Sequence, residues 1–331
     1  MIKKIALNNF KKHESLSLNN LSKINVLWGP NGAGKTSVLE ALSLFSPGKG
    51  GFSLKIEELP SFGSDSFEVF VQSDLDALIS YSKGKKTFRL DGDVKKTLEL
   101  LENFRVSVLT PYLFLAFWKD TLVRRQVFDR FVMQMNSEYA QVYAKYDKAL
   151  KERNLLIKND AFNSTWADIL DPVIIKNAIL INNIRRDVVN SFNQQNCSDI
   201  ENFLKNDLQI DISPGFDEMD AILNKYQENG ISGDFFGPHR VKFSLSCSDF
   251  DGKYASTGQQ KKLLIAFFIK GLPQALGLEK VLLLDDVLSY LDSQARKEFF
   301  YLLEKKDYQV FISDINKVEI DSLDVNFVDL K

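Results

Sequence analysis

An eight-residue loop constrains the fold of this chain more than any other feature of its sequence. The loop reads Gly29-Pro30-Asn31-Gly32-Ala33-Gly34-Lys35-Thr36 and fits the pattern G-x-x-x-x-G-K-[ST]. Its glycines lack the Cβ atoms that would keep backbone N–H groups away from a triphosphate. In this pattern the lysine reaches the β- and γ-phosphates, and the threonine hydroxyl ligates Mg²⁺. We therefore predict that this loop and Ser37 bind ATP, and that Lys35 takes part in catalysis.

The residues on either side of the loop have the pattern that this interpretation requires. Ile24–Trp28 is apolar except for Asn25, and it predicts a buried strand that leads into the loop. A helix is predicted after the loop, because apolar residues recur at helical spacing from Val38 to Phe45. The loop amides are then at a helix N-terminus, where the helix dipole favours anions. A chance glycine-rich turn is the alternative, and the order of strand, loop and helix argues against it.

A second apolar run, Val281–Leu284, ends in two aspartates. An unbroken run of this kind is typical of a parallel strand that is buried on both faces. In a phosphate-loop enzyme, a carboxylate at the end of such a strand holds Mg²⁺ together with the loop threonine. Thr36 and Asp285 are therefore the predicted metal ligands, and Asp286 is the predicted catalytic base for the attacking water. Taken alone, the run predicts only a strand followed by a helix cap.

The segment Ser256-Thr257-Gly258-Gln259-Gln260 precedes an apolar helical pattern. Ser256 and Gln259 have the spacing of a capping box, so Ser256 is expected to cap the helix. A turn of small residues at a helix N-terminus is also an anion site. In an ABC-type ATPase such a segment contacts the γ-phosphate bound to the other subunit, so Ser256, Gly258 and Gln259 are predicted to contact ATP. An ordinary capped helix is the simpler interpretation of the segment by itself.

The composition is that of an ordinary globular protein without a strong charge bias. The 331 residues include 42 Lys or Arg and 44 Asp or Glu, which gives a formal net charge of −2. Any nucleic-acid surface is therefore expected to be a local patch. Cys197 and Cys247 lie far apart and predict neither a zinc site nor a disulfide framework. The apolar runs are too short for a bilayer and no signal-peptide pattern is present, so a cytoplasmic protein is expected.

Strand patterns and helical patterns divide the chain into three segments. Residues 1–112 and 233–331 carry the strand patterns and the phosphate-binding motifs, and we predict that together they form one ATPase domain. Residues 113–232 carry helical patterns and predict an inserted helical (lid) subdomain that ends near Asn229-Gly230. The order of these parts predicts an α/β fold like the ABC-type ATPase head. We expect a mixed sheet with flanking helices and an N-terminal antiparallel β part.

These motifs, in this order, resemble the RecF family of bacterial recombination mediators over nearly the whole chain. The most specific pair is Gly237-Pro238-His239-Arg240 followed by the Ser256–Gln260 segment, because other ABC ATPases generally carry neither. The other matching stretches are Asn9-Phe10, Gly29–Thr36, Arg124-Arg125, Phe128-Asp129, Tyr146–Asn154 and Leu282–Asp292. RecF proteins are similar to SMC heads without the long arms.

The resemblance implies a specific function. Members of the family bind ATP and Mg²⁺, dimerise around the nucleotide, and hydrolyse it slowly, with stimulation by DNA. They bind duplex DNA and single-strand gap junctions, and they act with RecO and RecR to place RecA at gaps. The implied function is therefore an ATPase of recombinational repair and replication-fork maintenance. Its implied partners are DNA, a second copy of the chain, RecR, RecO and RecA, with no membrane.

The chain departs from the family pattern at several positions. The family usually has Phe-Arg-Asn-Tyr where this chain has Phe10-Lys11-Lys12-His13. The family pattern therefore does not assign the contact with the adenine of ATP in this chain. The family usually has an acidic residue after the proline that matches Pro111, where this chain has Tyr112. It usually has two acidic residues after Gly-Pro-His-Arg, where this chain has Val241 and Lys242. Transporter ATPases carry a switch histidine after the last strand, where this chain has Ser313-Asp314.

The sequence leaves several alternatives open. An SMC-like or transporter-type ABC ATPase subunit is the alternative function, although the missing switch histidine and the Gly-Pro-His-Arg stretch argue against a transporter. A nuclease-linked phosphate-loop protein is a third, but no additional acidic cluster is visible. His239 is either an interface residue or a structural histidine, and Arg124 and Arg125 either contact DNA or a partner or are structural. The lysine pairs at 3–4, 11–12, 95–96 and 261–262 are candidate DNA contacts.

Overall fold

The computed structural model describes residues 1–46, 52, 55–231, 234–248, 250–272, 279–315 and 325–330. The glycine-rich loop predicted at Gly48–Gly51 lies outside these residues. Within them, no helix combines the length and the apolar character that crossing a membrane requires.

The described strands, in chain order, are β1 (Lys4–Phe10), β2 (His13–Asn19), β3 (Ile24–Trp28), β4 (Ser66–Gln72), β5 (Asp76–Ser82), β6 (Lys85–Leu90), β7 (Asp93–Lys95), β8 (Phe104–Leu109), β9 (Gln209–Ser213), β10 (Lys242–Cys247), β11 (Phe250–Asp251), β12 (Glu279–Asp285), β13 (Gln309–Asp314) and β14 (Val325–Asp329). The α-helices are α1 (Lys35–Ser43), α2 (Thr97–Asn103), α3 (Pro111–Lys119), α4 (Thr121–Met135), α5 (Tyr139–Lys158), α6 (Ser164–Gln194), α7 (Ser198–Leu204), α8 (Phe216–Asn229), α9 (Thr257–Gly271) and α10 (Ser293–Glu304).

The chain forms two compact units. The first comprises Met1–Leu115, Cys197–Asn206 and Ser256–Lys331, and the second comprises Ala116–Asn196 and Asp207–Ala255. This division differs from the predicted boundaries at three places, the first of which is that the first unit extends to Leu115. Residues 242–251 lie in the second unit because β10 pairs with β9, and 197–206 lie in the first because α7 packs against α9 and α10.

The first unit contains two sheets. A six-stranded antiparallel sheet has the order β2-β1-β4-β5-β6-β7, and a five-stranded parallel sheet has the order β14-β3-β13-β12-β8. The α/β fold with a parallel sheet and an antiparallel N-terminal part is therefore confirmed, with the two kinds of strand in separate sheets. The apolar run Val281–Leu284 lies in the interior of the parallel sheet, and each of its side chains is 0% exposed. Helix α1 packs on this sheet, which brings the loop before it to the carboxyl ends of the strands.

The sequence predicted a helical insertion, but the second unit contains strands as well as helices. Helices α4, α5, α6 and α8 are joined by a small antiparallel sheet with the order β11-β10-β9. The two longest helices, α5 and α6, pack against each other along apolar stripes. Helix α8 ends at Asn229, where Gly230 adopts a φ of 73°, so the predicted end of this helical block is confirmed.

Candidate nucleotide-binding site

The glycine-rich loop connects the end of β3 to the first residue of α1. Gly29 and Gly34 have φ values of 150° and 93°, which side chains rarely adopt. A Cβ atom at Gly29 would lie 2.2 Å from the carbonyl oxygen of Leu330, and one at Gly34 would lie 2.3 Å from His13 Nε2. Glycine is thus required at both positions by backbone conformation and by the close approach of neighbouring strands.

The loop forms one wall of an open cleft of about 550 Å³ in the first unit. The residues that line it are Lys12, Asn31, Gly32, Gly34, Lys35, Thr36, Ser37, Pro111, Asp285, Asp286, Ser313, Asp314 and Ile315. Gly29, Pro30 and Ala33 belong to the same loop, although they are not among the lining residues. The structure therefore brings together the loop and both predicted carboxylates, which are separated by about 250 residues in the chain.

A chain of hydrogen bonds connects the loop to the ends of two strands. The hydroxyl of Thr36 donates to Asp285 Oδ1 at 3.0 Å, and the hydroxyl of Ser313 donates to the same oxygen at 2.7 Å. Ser313 Oγ in turn accepts a hydrogen bond from the backbone N–H of Asp286 at 2.9 Å. The positions of Thr36, Asp285 and Asp286 are thus fixed relative to one another through a single buried serine.

Asp286 occupies an unusual backbone conformation at the end of β12. Its φ is 51°, in the left-handed region where aspartate and asparagine are the most tolerated residues after glycine. Partial burial raises the pKa of its carboxyl group, and the charges of Asp285 and Asp314 raise it further. A hydrogen bond from Ser289 and the charge of Lys35 oppose this increase. The carboxylate therefore holds a proton more readily than an exposed aspartate does, which favours a role as a base.

Lys35 folds back onto its own loop. Its ammonium group donates hydrogen bonds to the carbonyl oxygens of Gly29 at 2.8 Å and Pro30 at 2.9 Å. These carbonyl groups hold the lysine at the loop, where the pattern requires it.

The first hairpin supplies residues that the sequence did not assign to the site. Lys12 Nζ donates to the carbonyl oxygen of Gly32, and His13 Nε2 donates to that of Gly34 at 3.1 Å. Lys11 forms an ion pair of 2.5 Å with Glu40, whose pKa is raised by burial and lowered in part by this lysine. The pair at 11–12 was a candidate DNA contact, but Lys12 lies in the cleft. In the sequence, the only indication that Lys12 belongs to the site was the departure from the family pattern at Phe10-Lys11-Lys12-His13.

The segment around Ser256 does not line this cleft. Ser256 caps α9, because its hydroxyl accepts from Gln259 N–H at 3.4 Å and its own N–H donates to Gln259 Oε1 at 2.9 Å. The predicted capping box is therefore confirmed. Ser256, Gly258 and Gln259 are not among the residues that line the cleft around the loop. They are all exposed, so the N-terminus of α9 is open to another molecule.

The oxygen atoms at the centre of the cleft suit Mg²⁺. This ion prefers hard oxygen ligands, binds through one or two protein oxygens and substrate phosphates, and retains several waters. Thr36 Oγ1 and Asp285 Oδ1 form such a pair, 3.0 Å apart. The described residues contain no cluster of three or more His, Cys, Asp or Glu that could form a closed protein cage for a metal ion.

Comparison with known proteins identifies a family and several relatives that match most of the chain. The family model of the AAA ATPase domain matches residues 1–232. The DNA replication and repair protein RecF of Rickettsia prowazekii is 28% identical over 346 residues, covering 95% of each chain. The protein of the same name from Shewanella frigidimarina is 28% identical and covers 97% of this chain and 94% of its own.

Solved structures show the same fold. The structure of the recombination mediator protein RecF-ATPrS in the RecFOR pathway has a TM-score of 0.78 and 24% identity, covering 97% of this chain and 94% of that one. An SMC head bound to the C-winged helix domain of ScpA has a TM-score of 0.54 at 14% identity, over 96% of this chain and 90% of that one. The chain therefore belongs to the AAA ATPase domain family, and its resemblance to RecF, predicted from its motifs, is confirmed.

Proposed function

We propose that this protein is an ATP-dependent DNA-binding ATPase of DNA replication and repair. The observation that carries the proposal is the cleft in which the glycine-rich loop, Thr36, Asp285 and Asp286 meet. Phosphate binding by the loop explains its glycines, its lysine and its position at the N-terminus of α1. The RecF relatives, which are named as DNA replication and repair proteins, support the biological context.

Each residue in the cleft has a distinct role in this proposal. The loop amides and Lys35 bind and orient the phosphates, and Ser37 extends the loop into the first turn of α1. Thr36 and Asp285 hold Mg²⁺, which when bound neutralises charge on the β- and γ-phosphates. Asp286 orients the attacking water and accepts its proton. Lys12 adds a positive charge to the same cleft.

We further propose that ATP closes a dimer of two heads. The N-terminus of α9 is exposed and carries three predicted contacts, Ser256, Gly258 and Gln259, that do not line the cleft of their own chain. A second copy that presents its loop to this helix end would complete the phosphate site. Slow hydrolysis would then reopen the dimer and release it from DNA. By family resemblance, RecR, RecO and RecA act with it at single-strand gaps.

Analytical ultracentrifugation, together with a measurement of DNA affinity, tests the proposal. The protein is sedimented without nucleotide, with Mg-ADP and with Mg-ATP, each with and without gapped DNA. A dimer that forms only with Mg-ATP, and that binds DNA more tightly than the monomer, is the expected result. A monomer in all conditions, or equal DNA affinity with and without ATP, would contradict the proposal.

An SMC-like head is the second candidate, because the SMC head bound to ScpA shares the fold. The helices α5 and α6 have 20 and 31 residues, which is short for coiled-coil arms. RecA filament formation on gapped DNA separates the two functions. A RecF-like protein accelerates it in the presence of RecO and RecR, and an SMC-like head does not.

A further inference from the structure

The Gly-Pro-His-Arg stretch lies in the second unit, and the cleft of the first unit does not explain it. A buried network holds this stretch in place. Arg185, which is 1% exposed, donates to Asp129 Oδ1 at 2.6 Å, to Tyr139 Oη at 2.8 Å and to the carbonyl oxygen of Pro238 at 2.8 Å. A Cβ atom at Gly237 would lie 2.7 Å from the hydroxyl of Tyr146, so the glycine is needed for close packing. The network fixes the backbone of the stretch and therefore the positions of His239 and Arg240.

Tyr146 contacts one of the two ring nitrogens of His239. Tyr146 Oη lies 2.6 Å from His239 Nδ1. Burial raises the pKa of Tyr146, so its hydroxyl stays protonated and is able to donate to Nδ1. Burial, with the nearby charges of Arg240, Arg125 and Arg185, lowers the pKa of His239 to about 4. The imidazole is therefore neutral at physiological pH. In the tautomer in which Tyr146 donates to Nδ1, Nε2 carries the hydrogen and is a donor without a partner among the described residues.

The neighbouring arginines 124 and 125 have different surroundings. Arg124 donates to the carbonyl oxygens of Phe117 and Trp118, both at 2.9 Å, and so holds the end of α3 against α4. Arg125 is half-buried, and its side chain has neither a hydrogen bond nor an ion pair with any residue that the structure describes. Arg124 is thus structural, whereas Arg125 has an uncompensated charge.

Helix geometry places Arg125 beside His239. Arg125 lies one turn before Asp129 on the same face of α4, and Asp129 accepts a hydrogen bond from Tyr139 on α5 at 2.7 Å. The chain turns back between these helices, so the next two turns of α5, at Tyr143 and Tyr146, face the earlier part of α4. Tyr146 holds His239. The charge of Arg125 lowers the pKa of Tyr143 and of Tyr146, against the larger effect of burial, which agrees with this placement.

We propose that Arg125, His239 and Arg240 form a binding site for the phosphodiester backbone of duplex DNA on the second unit. An unpaired guanidinium group, an exposed guanidinium group and a neutral N–H donor match a phosphate monoanion. Arg240 has an ion pair of 3.4 Å with Asp234, which is 91% exposed, so a phosphate can replace this weak contact. Arg240 is exposed and Arg125 and His239 are half-buried, so a phosphate of a DNA backbone can reach all three from solvent. This proposal rests on the DNA binding in the proposed function.

Salt titration of DNA binding tests the proposal. The affinity for a fluorescent 30-base-pair duplex is measured by anisotropy with Mg-ATP for the wild type, Arg125→Gln, Arg125→Lys and Arg240→Gln. Loss of one phosphate contact should reduce the slope of log K against log[salt] by about 0.9, which at 0.1 M salt weakens binding about eightfold. Arg125→Lys should retain most of the wild-type slope, because it retains the charge. Lys225→Gln, which removes an exposed charge from α8, is the matched control and should leave the slope unchanged.

The possible outcomes separate this site from the wider proposal. A wild type that binds DNA with a salt-dependent affinity, and glutamine variants that have the wild-type slope, would overturn the site and leave the function intact. Weaker binding by the same factor at every salt concentration would show a structural effect and would also overturn the site. A wild type without salt-dependent DNA binding would overturn both. ATP affinity, measured in parallel, should be unchanged in every variant, because none of the substitutions lies in the nucleotide cleft.

Discussion

The hydroxyl of Ser313 donates a 2.7 Å hydrogen bond to the carboxylate of Asp285, at the point where β12 and β13 end side by side. Ser313 also accepts from the N–H of Asp286. It stands where transporter ATPases carry a switch histidine, and in this chain it connects both carboxylates of the cleft. A small hydroxyl residue at this position therefore has a clear structural role, which is to hold Asp285 and Asp286 in fixed positions relative to each other.

Ser313→Ala tests this role. The substitution removes a donor to Asp285 and leaves the partly buried N–H of Asp286 without its acceptor, so we expect the free energy of unfolding to fall by about 1–3 kcal/mol. Hydrolysis should slow as well, because Asp286 is no longer held. Urea denaturation and single-turnover hydrolysis measure the two effects. Ser15→Ala, at an exposed position of β2, is the control and should change neither quantity.

Gly34→Ala should destabilise the fold through two separate effects. A residue with a side chain at a φ of 93° is strained, and its Cβ atom would lie 2.3 Å from His13 Nε2. Together these effects should lower the free energy of unfolding by about 1–3 kcal/mol. Gly63→Ala is the matched control, because Gly63 has a φ of 82° but a Cβ atom there would have no neighbouring atom within 4 Å. A thermal-denaturation midpoint for Gly34→Ala equal to that of the control would show that the contact with His13 is unimportant.

Lys35→Ala should abolish tight ATP binding. The loop would retain its amides but lose the charge that reaches the β- and γ-phosphates. Isothermal titration with Mg-ATP measures the affinity. Lys23→Ala is the control, since Lys23 does not line the cleft and donates to the carbonyl oxygen of Glu304. Unchanged affinity in Lys35→Ala would contradict the assignment of the loop.

Ser256→Arg should prevent ATP-driven dimerisation without affecting ATP binding by the monomer. The reason is that Ser256 serves the nucleotide of the partner in this account, and a bulky cation blocks the approach of the second loop. Ser256→Ala is the control, because it removes the helix cap at a cost of about 1 kcal/mol but leaves the helix end open. Sedimentation in Mg-ATP distinguishes them. A normal dimer in Ser256→Arg would indicate that the segment is only a helix cap.

The sequence predicted those parts of the fold and the candidate site that depend on local spacing. The loop, the strand that ends in Asp285 and the cap at Ser256 all depend on residues within a few positions of one another. Ser313 escaped prediction as a part of the site because its partners are 27 and 28 residues away and meet it only through parallel strand pairing. The domain boundaries differed for a similar reason, since the pairing of β9 with β10 crosses a long stretch of sequence.

Lys12 and Arg125 illustrate a second limit of sequence interpretation. Both belong to pairs of adjacent basic residues, and the sequence could not assign different roles to the members of a pair. In the structure Lys12 lies in the cleft while Lys11 pairs with Glu40, and Arg125 is unpaired while Arg124 binds backbone carbonyls. Adjacent residues on a helix or in a turn face different surroundings, so their roles become distinct only when the neighbouring elements are known.

Asp286 has the central chemical role in this account, and its surroundings predict a pH effect. Its pKa is raised above the ordinary value of 3.8, so the group becomes protonated at a higher pH than an exposed aspartate does. A protonated carboxyl cannot accept a proton from water, so the rate of hydrolysis should fall as the pH decreases through this raised value. Asp286→Asn should lack this pH dependence. Asparagine also tolerates the φ of 51°, so the backbone is expected to remain intact.

Single-turnover ATP hydrolysis by Asp286→Asn, measured together with the lifetime of the Mg-ATP dimer, tests the central claim most directly. Loss of the general base should slow hydrolysis roughly 10²–10⁴-fold, while Lys35, the loop amides and Asp285 still bind the nucleotide. We predict a variant that binds ATP normally and accumulates as a long-lived dimer on DNA. Asp307→Asn, at an exposed position, should match the wild type. Wild-type hydrolysis together with a wild-type dimer lifetime in Asp286→Asn would contradict the account.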